Sequence, residues 1–335
     1  MHVRFGYVAM SVHVKNASPS KTMTVAGFSK LADREAAIRK LERIARENLH
    51  NTLRLLRHNR AYDIHLYRFS SRLIPLIGHE LLEGWDPFPV LAEDFAAIGD
   101  YVREHGMRVS FHPDHFTVLS TPREEVRQRS VDDLAMHVQM LDQMGLDERA
   151  KCNIHIGGAY GSKSSAMTRF LSNFRALPAA VARRITLEND DKTFNAAETL
   201  DACRQLGVPM VLDIHHHLIN HNGEAASDLW PSIQDTWEGT GFPPKIHVSS
   251  PKSEKDPRSH ADYVDPAQIL SFLRSIAAAT PALDVMIEAK MKDGALFRLI
   301  GDLRRERDFR IGDQASLDIK WTDAAVNPES EKIRP

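Results

Sequence analysis

Short apolar runs that end in polar residues recur along the chain, and each is followed by a stretch with helical spacing. Eight such runs stand out: VRFGYVAM (3–10), DIHLYRFSS (63–71), MRVSFHP (107–113), CNIHIGG (152–158), RITLEND (184–190), PMVLDIHH (209–216), PKIHVSS (244–250) and LDVMIEAK (283–290). Between them, REAAIRKLERIARENLHNTLRLLRHN (34–59), VLAEDFAAIGDYVREHG (90–106), EEVRQRSVDDLAMHVQMLDQMG (124–145) and NAAETLDACRQLG (195–207) carry the spacing of amphipathic helices. Gly106, Gly145 and Gly207 stand where helix C-terminal caps are wanted. Alternating strands and helices predict a parallel sheet with crossover helices, whose closed eight-unit form is the α/β (β/α)8 TIM barrel. A doubly wound open sheet is the alternative, weakened because no Gly-x-Gly-x-x-Gly follows the first run. Residues 1–310 are expected to form one catalytic barrel domain, and 311–335, without clear periodicity, a poorly packed C-terminal tail. The loops 11–32 and 250–264 are long for a barrel, and long loops tend to be functional.

Composition narrows the class. Apolar residues make up 42% and charged residues 26%, as in soluble globular proteins. No stretch approaches the roughly 18 consecutive apolar residues of a membrane span, and MHVRFGYVAM lacks the zones of a signal peptide. The two cysteines, Cys152 and Cys203, fall in a strand and a helix, so no disulfide framework is expected and the cytoplasm is the default compartment. A net charge of −2 gives no global basic field, so a nucleic-acid partner would need a local patch. The chain carries 17 histidines, and their placement is informative.

In a barrel the chemistry lies at the C-terminal ends of the strands and in the loops that follow. His79 follows the second run, His112 ends the third, His155 lies in the fourth and Glu188 ends the fifth. Asp213 and His216 lie at the end of the sixth, His247 in the seventh, His260 in the loop after it, and Glu288 near the end of the eighth. A single buried histidine or glutamate is usually a satisfied core residue, but a set converging on one barrel mouth is costly unless it holds cations. Imidazoles and carboxylates without cysteine suit Mn, Zn or Fe. Nine candidates exceed the three protein ligands of one catalytic zinc, so two or three ions are implied. Clustered divalent ions suit displacement at phosphate, one supporting the attacking water and another the leaving oxygen. A metal-dependent sugar isomerase or epimerase is the alternative enzyme, and a non-catalytic DNA-lesion binder the alternative from another class.

The segment DIHHHLINH (213–221) divides on this reading. Asp213 and His216 are expected ligands. In an extended segment His215 and His217 face the other way, as supporting or substrate contacts, and His221 belongs to the loop. Lys245 precedes His247 by two and shares its strand face. It is either a buried amine with a lowered pKa, open to carboxylation into a bridging ligand, or an outward lysine paired with an acid.

The series GYVAM, YRFSSRLIP, VSFHP, NIHIGG, LENDD, LDIHHH, KIHVSS and IEAK, in this order over residues 3–292, resembles the ultraviolet-damage endonuclease family. Endonuclease IV and the xylose isomerase-like barrels are more distant relatives. The resemblance implies an ATP-independent DNA repair enzyme that uses divalent metals. Manganese is the expected ion, in a cluster of up to three, with Zn2+, Mg2+ or Co2+ as substitutes. It implies incision immediately 5′ of cyclobutane dimers, 6-4 photoproducts and some abasic sites in double-stranded DNA. Metal-activated water would leave a 3′-hydroxyl and a 5′-phosphate, with no nucleotide cofactor, no membrane and a monomeric enzyme. His79, His112, His155, Glu188, Asp213, His216, His247, His260 and Glu288 match the family's ligand positions, and Lys245 a lysine of the same site. Glu188, as a carboxylate bridging ions, with Lys245 and His247, forms the expected catalytic set. Tyr7 matches an aromatic position near the lesion. Many relatives read HPGQ and an aromatic after the third strand; here HPDHF puts Asp114 and His115 in place of Gly and Gln and keeps Phe116. His115 can stack but cannot copy an amide's donor and acceptor pair. Arg68, Arg72, Lys252, Lys255 and Arg258, with Lys15, Lys21, Lys163, Lys290 and Lys292, share the expected mouth and form a candidate DNA-binding patch.

Overall fold

The computed structural model describes residues 1–320. In chain order, β1 (His2–Val8) leads through a long loop carrying α1 (Val25–Ser29) into α2 (Arg34–Ala61) and β2 (Leu66–Arg68). Then come α3 (Phe88–Glu104), β3 (Arg108–Phe111), α4 (Glu124–Gln143) and β4 (Lys151–His155). α5 (Lys163–Arg175) and α6 (Ala179–Ala182) precede β5 (Ile185–Glu188), and α7 (Ala196–Leu206) precedes β6 (Met210–Asp213). α8 (Ile214–Ile219) and α9 (Ala226–Asp235) precede β7 (Lys245–Val248). A hairpin of β8 (Pro251–Ser253) and β9 (Asp256–His260) leads to α10 (Pro266–Ile276), β10 (Ala282–Ile287) and α11 (Lys292–Leu303). β11 (Phe309–Ile311) and β12 (Ser316–Ile319) follow.

Strands β1 to β7 and β10 pair in parallel in that order, and β10 pairs back onto β1 from His2↔Ala282 to Tyr7↔Ile287. The sheet is therefore a closed (β/α)8 barrel rather than an open one. Every residue of β3, β5, β6 and β7 is buried. Helices cover such parallel strands outside and packed side chains fill the space inside, so even the polar Ser110, Thr186, Lys245 and His247 of these strands are buried. The helices present one face to this barrel. α2 starts at an Asp33 cap and buries Leu41, Ala45, Leu49, Leu55 and Leu56; α7 starts at an Asn195–Glu198 capping box and ends at Gly207, at φ 66°. Gly99 lets α3 approach the turn after α4: a Cβ there would stand 1.6 Å from the Met144 carbonyl oxygen.

At the N-terminal end of the barrel, Asp284 accepts hydrogen bonds from Arg4 (2.8 Å twice) and from Arg108 (2.5 Å). The buried Arg108 guanidinium also lies over Trp237 and Phe242, 4.9 and 4.5 Å from the ring centroids. This plug closes one end of the barrel. At the other end the register lines up the polar residues, with His155 opposite Glu188 and Asp213 opposite His247.

Two regions depart from expectation. β12 pairs antiparallel with β1 (Val3↔Leu317) and buries Ser316, Leu317 and Ile319, so this stretch is packed onto the barrel. The remainder of the expected tail, 321–335, lies outside the described residues. The loop 250–264 contains the β8–β9 hairpin. Among the described residues no helix is long and apolar enough to cross a membrane.

Candidate metal centre

Glu188 ends β5 with its carboxylate buried at the barrel axis, 1% exposed. Its Oε2 lies 3.2 Å from His112 Nε2 and 3.1 Å from His247 Nδ1, and accepts a hydrogen bond from Asn153 Nδ2. Its Oε1 lies 3.6 Å from His216 Nδ1. His247 Nδ1 is also 3.0 Å from Glu288 Oε1. These contacts define three overlapping groups: His112, His155 and Glu188; Glu188, Asp213 and His216; Glu188, His247 and Glu288. Within each, one potential ligand atom per residue lies within 4.8 Å of the others. Glu188 belongs to all three.

Two further observations fit divalent cations. First, Glu188 Oε1, Asp213 Oδ2 and His247 Nδ1 are fully buried and make no hydrogen bond. His247 Nδ1 stands close to two carboxylate oxygens, but at angles that do not form a bond. Orphaned buried lone pairs are costly unless something fills the space between them. Second, four imidazoles are fixed by backbone carbonyls through Nδ1: His112 to Pro113 O (3.0 Å), His155 to Glu188 O (3.2 Å), His216 to Asn189 O (2.9 Å) and His260 to Glu288 O (2.7 Å). A carbonyl can only accept, so in each of these bonds Nδ1 carries the proton, and the ring in its neutral form would present an Nε2 lone pair. Ligating histidines are oriented in this way by an outer partner. The donor set, nitrogen and oxygen without sulfur, suits Mn2+, Zn2+ or Fe2+.

Charge is focused here. Burial would lower the His216 pKa, but Asp213 and Glu188 outweigh it and push it up to about 9. Burial works the same way at His247, where Glu188 and Glu288 push the value up to about 9. Burial opposes ionisation of Glu188 and Glu288, yet His247 and His155 hold Glu188 well below its ordinary range, and Arg68 and His247 do the same for Glu288. Asp213 is raised, chiefly by burial. Burial lowers His155. Above the centre opens a cavity of about 680 Å³, with His112, His155 and His216 among its lining and His115, Tyr160, Asp191 and Arg258 at its sides.

The family model described as UV-endonuclease UvdE matches residues 3–322. The chain belongs to that family. It is 44% identical to the UV DNA damage endonuclease of Halalkalibacterium halodurans over 95% of this chain and 99% of the relative. It is 47% identical to that of Bacillus pumilus, over 93% and 98% of the two chains. Its structure is similar to the crystal structure of SacUVDE, with a TM-score of 0.80 and 29% identity over 90% of this chain and 98% of that one. Endonuclease IV of Thermus thermophilus shares the fold alone, at a TM-score of 0.52 and 13% identity over 90% of this chain and all of the other.

Against the expectations drawn from UvdE family members, His112, His155, Glu188, Asp213, His216, His247 and Glu288 come together. His260, on β9, lies beside them, its Nδ1 4.0 Å from Glu288 Oε2. His79 does not join this cluster. Its Nδ1 accepts the Leu81 N–H (3.2 Å), capping the short 3-10 turn Glu80–Leu82, and it lines a separate cleft with Trp85 and Met136. Tyr7 is fully buried outside the barrel wall, donating to Asn59 of α2 (2.7 Å) and packed edge-on to Tyr67, so it presents no surface to a lesion. His115 and Phe116 are exposed, 73% for Phe116, with ring centroids 4.0 Å apart.

The segment after Asp213 is helical rather than extended. Asp213 caps α8 by accepting the His216 N–H (2.7 Å), so alternation of faces does not apply. His215 uses both nitrogens, toward Ser249 Oγ (2.6 Å) and the Pro257 carbonyl (2.7 Å), and so ties the hairpin bearing His260 to α8. His217 bonds the Glu224 carbonyl (3.1 Å), away from the centre; His221 is exposed and accepts the Gly223 N–H. Lys245 is buried, not outward. Its Nζ lies 3.4 Å from Ser110 Oγ in a narrow void shared with Asn153, Thr186 and His247. Burial, then the nearby Arg108 charge, holds its pKa well below the ordinary lysine range.

The expected basic patch is largely paired. Arg68 pairs with Glu288 inside the mouth; Arg72 pairs with Asp114 (3.5 Å), Arg258 with Asp191 (2.7 Å), Lys252 with Asp256 (3.4 Å) and Lys163 with Glu198 (2.7 Å). Lys255 is exposed. Two residues that sequence reasoning missed are central to the geometry. Asn153 shares the strand face of His155 two residues on and aims at Glu188. Asn189 brackets Asp213, accepting its N–H (2.9 Å) and donating to its carbonyl (3.0 Å). The strand pleat pointed to the first; the second needed the neighbouring strand.

Proposed function

We propose that this chain is a metal-dependent DNA repair endonuclease that acts as a monomer, in the cytoplasm, on double-stranded DNA, nicking immediately 5′ of ultraviolet lesions and of some abasic sites. The observation that carries the reading is Glu188, shared by three donor groups whose His112, His155 and His216 line an open cavity, in a chain of the UvdE family. Its ligands would be the seven clustered residues and His260, holding two or three ions, with Mn2+ the expected metal. Such ions, when bound, polarise a phosphate and lower the pKa of water, the chemistry that phosphodiester hydrolysis requires.

The remaining roles belong to the chain. The four imidazoles bonded through Nδ1 would, in their neutral form, leave Nε2 as the atom free to ligate a cation. Arg68 fixes Glu288 and offsets the negative charge that gathers around it. Lys245, a buried amine whose pKa burial holds well below the ordinary lysine range, is open to carboxylation, which would add a carboxylate beside His247. Glu188, Lys245 and His247 are thus the residues we assign to catalysis. Arg72, Lys252, Lys255 and Arg258 stand at exposed positions where phosphates can compete for them. The exposed His115–Phe116 pair is suited to wedge between weakened bases, since flipping a damaged nucleotide costs less than flipping a paired one.

The test is nicking of an end-labelled duplex carrying one thymine dimer. The expected result is a single cut immediately 5′ of the dimer in Mn2+, lost after chelation with EDTA and regained on adding Mn2+ back. An intact duplex after incubation with the Mn2+-loaded protein would overturn the proposal.

A further inference from the structure

The loop after β4 reads Gly157-Gly158-Ala159-Tyr160-Gly161 and lines the cavity above the metal centre. Tyr160 sits in the left-handed region at φ 48°. Glycine or asparagine would be comfortable there, and a bulky side chain is not. The ring does not serve the core, since it is 43% exposed. Nor is the loop loose: the Ser162 N–H donates to Ala159 O (3.0 Å), Ser120 Oγ donates to Gly158 O (3.3 Å) and Arg169 Nε donates to Ser120 O (2.9 Å). Arg169 also lies 6.0 Å from the Tyr160 ring centroid. The ring packs over Gly158: a Cβ there would stand 3.4 Å from its Cε2, an ordinary contact distance. His115, His112, His155 and His216 line the same cavity.

An exposed aromatic residue kept in a strained conformation by a fixed loop, beside a candidate catalytic centre, points to contact with a ligand. We propose that Tyr160 is a base-stacking residue: its ring receives an unstacked nucleobase next to the phosphate held over the metal centre. A planar ring face accepts any base, because each has a π-face, so this contact adds affinity for unpaired nucleotides without reading sequence. The cavity, about 680 Å³ and lined by both Tyr160 and His115, is of a size to take a nucleotide. This inference rests on the nuclease reading above.

Tyr160→Asn and Tyr160→Phe separate stacking from structure. Asparagine tolerates the left-handed backbone and removes the ring; phenylalanine keeps the ring and the strain. Binding is read by fluorescence anisotropy with a fluorescein-labelled duplex carrying one thymine dimer, alongside Mn2+ content and Tm. Tyr160→Asn should bind about 10- to 100-fold more weakly, with unchanged metal content and a Tm equal to or above that of the parent. Tyr160→Phe should bind within about twofold of the parent, since the ring remains. Parental affinity in Tyr160→Asn overturns the proposal. So does a loss of affinity accompanied by a fall in Tm or Mn2+ content, which would make Tyr160 a structural residue. A parent protein that neither binds nor nicks the duplex overturns the nuclease reading itself.

Discussion

Replacing Glu188 with glutamine keeps the volume and one acceptor oxygen but removes the charge on which the centre is organised. In the metal-free protein, His216 and His247 have folded pKa values pushed up from 6.5 to about 9. Burial opposes this, and the carboxylates outweigh it. Because both values lie above those of the unfolded chain, the imidazolium forms stabilise the fold fully below pH 6.5, and that stabilisation fades as pH rises through 9. At about 1.4 kcal/mol per pH unit, the ceiling is roughly 3.5 kcal/mol for each ring. Glu188 is one of the two leading carboxylates at both rings, so removing it should take away roughly half of that, about 1–2 kcal/mol per ring. Metal-free Glu188→Gln should therefore be less stable than the parent at pH 6.5 and level with it or more stable near pH 9, where the parent carries Glu188 and Glu288 as unneutralised neighbours. Urea denaturation of both metal-free proteins across this window reads the effect. In parallel, equilibrium dialysis against Mn2+ should show weakening beyond the 10- to 100-fold typical of outer partners, because each donor group loses a ligand. Parallel pH–stability curves together with parental Mn2+ uptake would refute the reasoning.

Two other outcomes follow from packing and burial. Gly99→Ala should destabilise by at least about 1–3 kcal/mol, because its new Cβ meets the Met144 backbone; Gly301→Ala, in open space on α11, should stabilise by about 0.5–1 kcal/mol. Urea midpoints moving in the same direction for both would refute the contact argument. Cys152 and Cys203 are fully buried, which pushes the Cys152 thiol up to about 12 and raises Cys203 as well. A thiol reagent such as DTNB should label neither in the native protein at pH 8 and both in guanidinium; rapid native labelling would contradict this.

The barrel was legible because its strands leave short, mostly apolar runs that end in polar residues, and such runs occur at all eight positions. The candidate ligands were legible for a related reason: within a strand, a histidine or carboxylate at the rim can only face the axis or the helices. Legibility stopped where structure depends on a partner distant in sequence. SLDI at 316–319 is too short to declare itself, and its pairing with β1 reaches across the whole chain. IHHHLI has no helical pattern; Asp213 starts that helix by capping it. His79 is diverted by a local turn. The acids that neutralise Arg68, Arg72 and Arg258 come from other loops, so a sequence shows the cations but not their pairing.

The Nδ1 bonds of His155, His216 and His260 have a consequence for how the barrel ends. The carbonyls they reach, on Glu188, Asn189 and Glu288, belong to residues at or just past the last turn of the sheet ladder. A closed barrel removes the lateral edges of a sheet but still leaves such end groups to be satisfied. Here the candidate ligand histidines satisfy them, so the hydrogen bonds that finish the rim are those that would aim the ligands. Truncating one of these rings strips a carbonyl of its partner as well as a cation of its ligand. Stability and activity are coupled at this rim, and drift that erodes the chemistry also frays the scaffold.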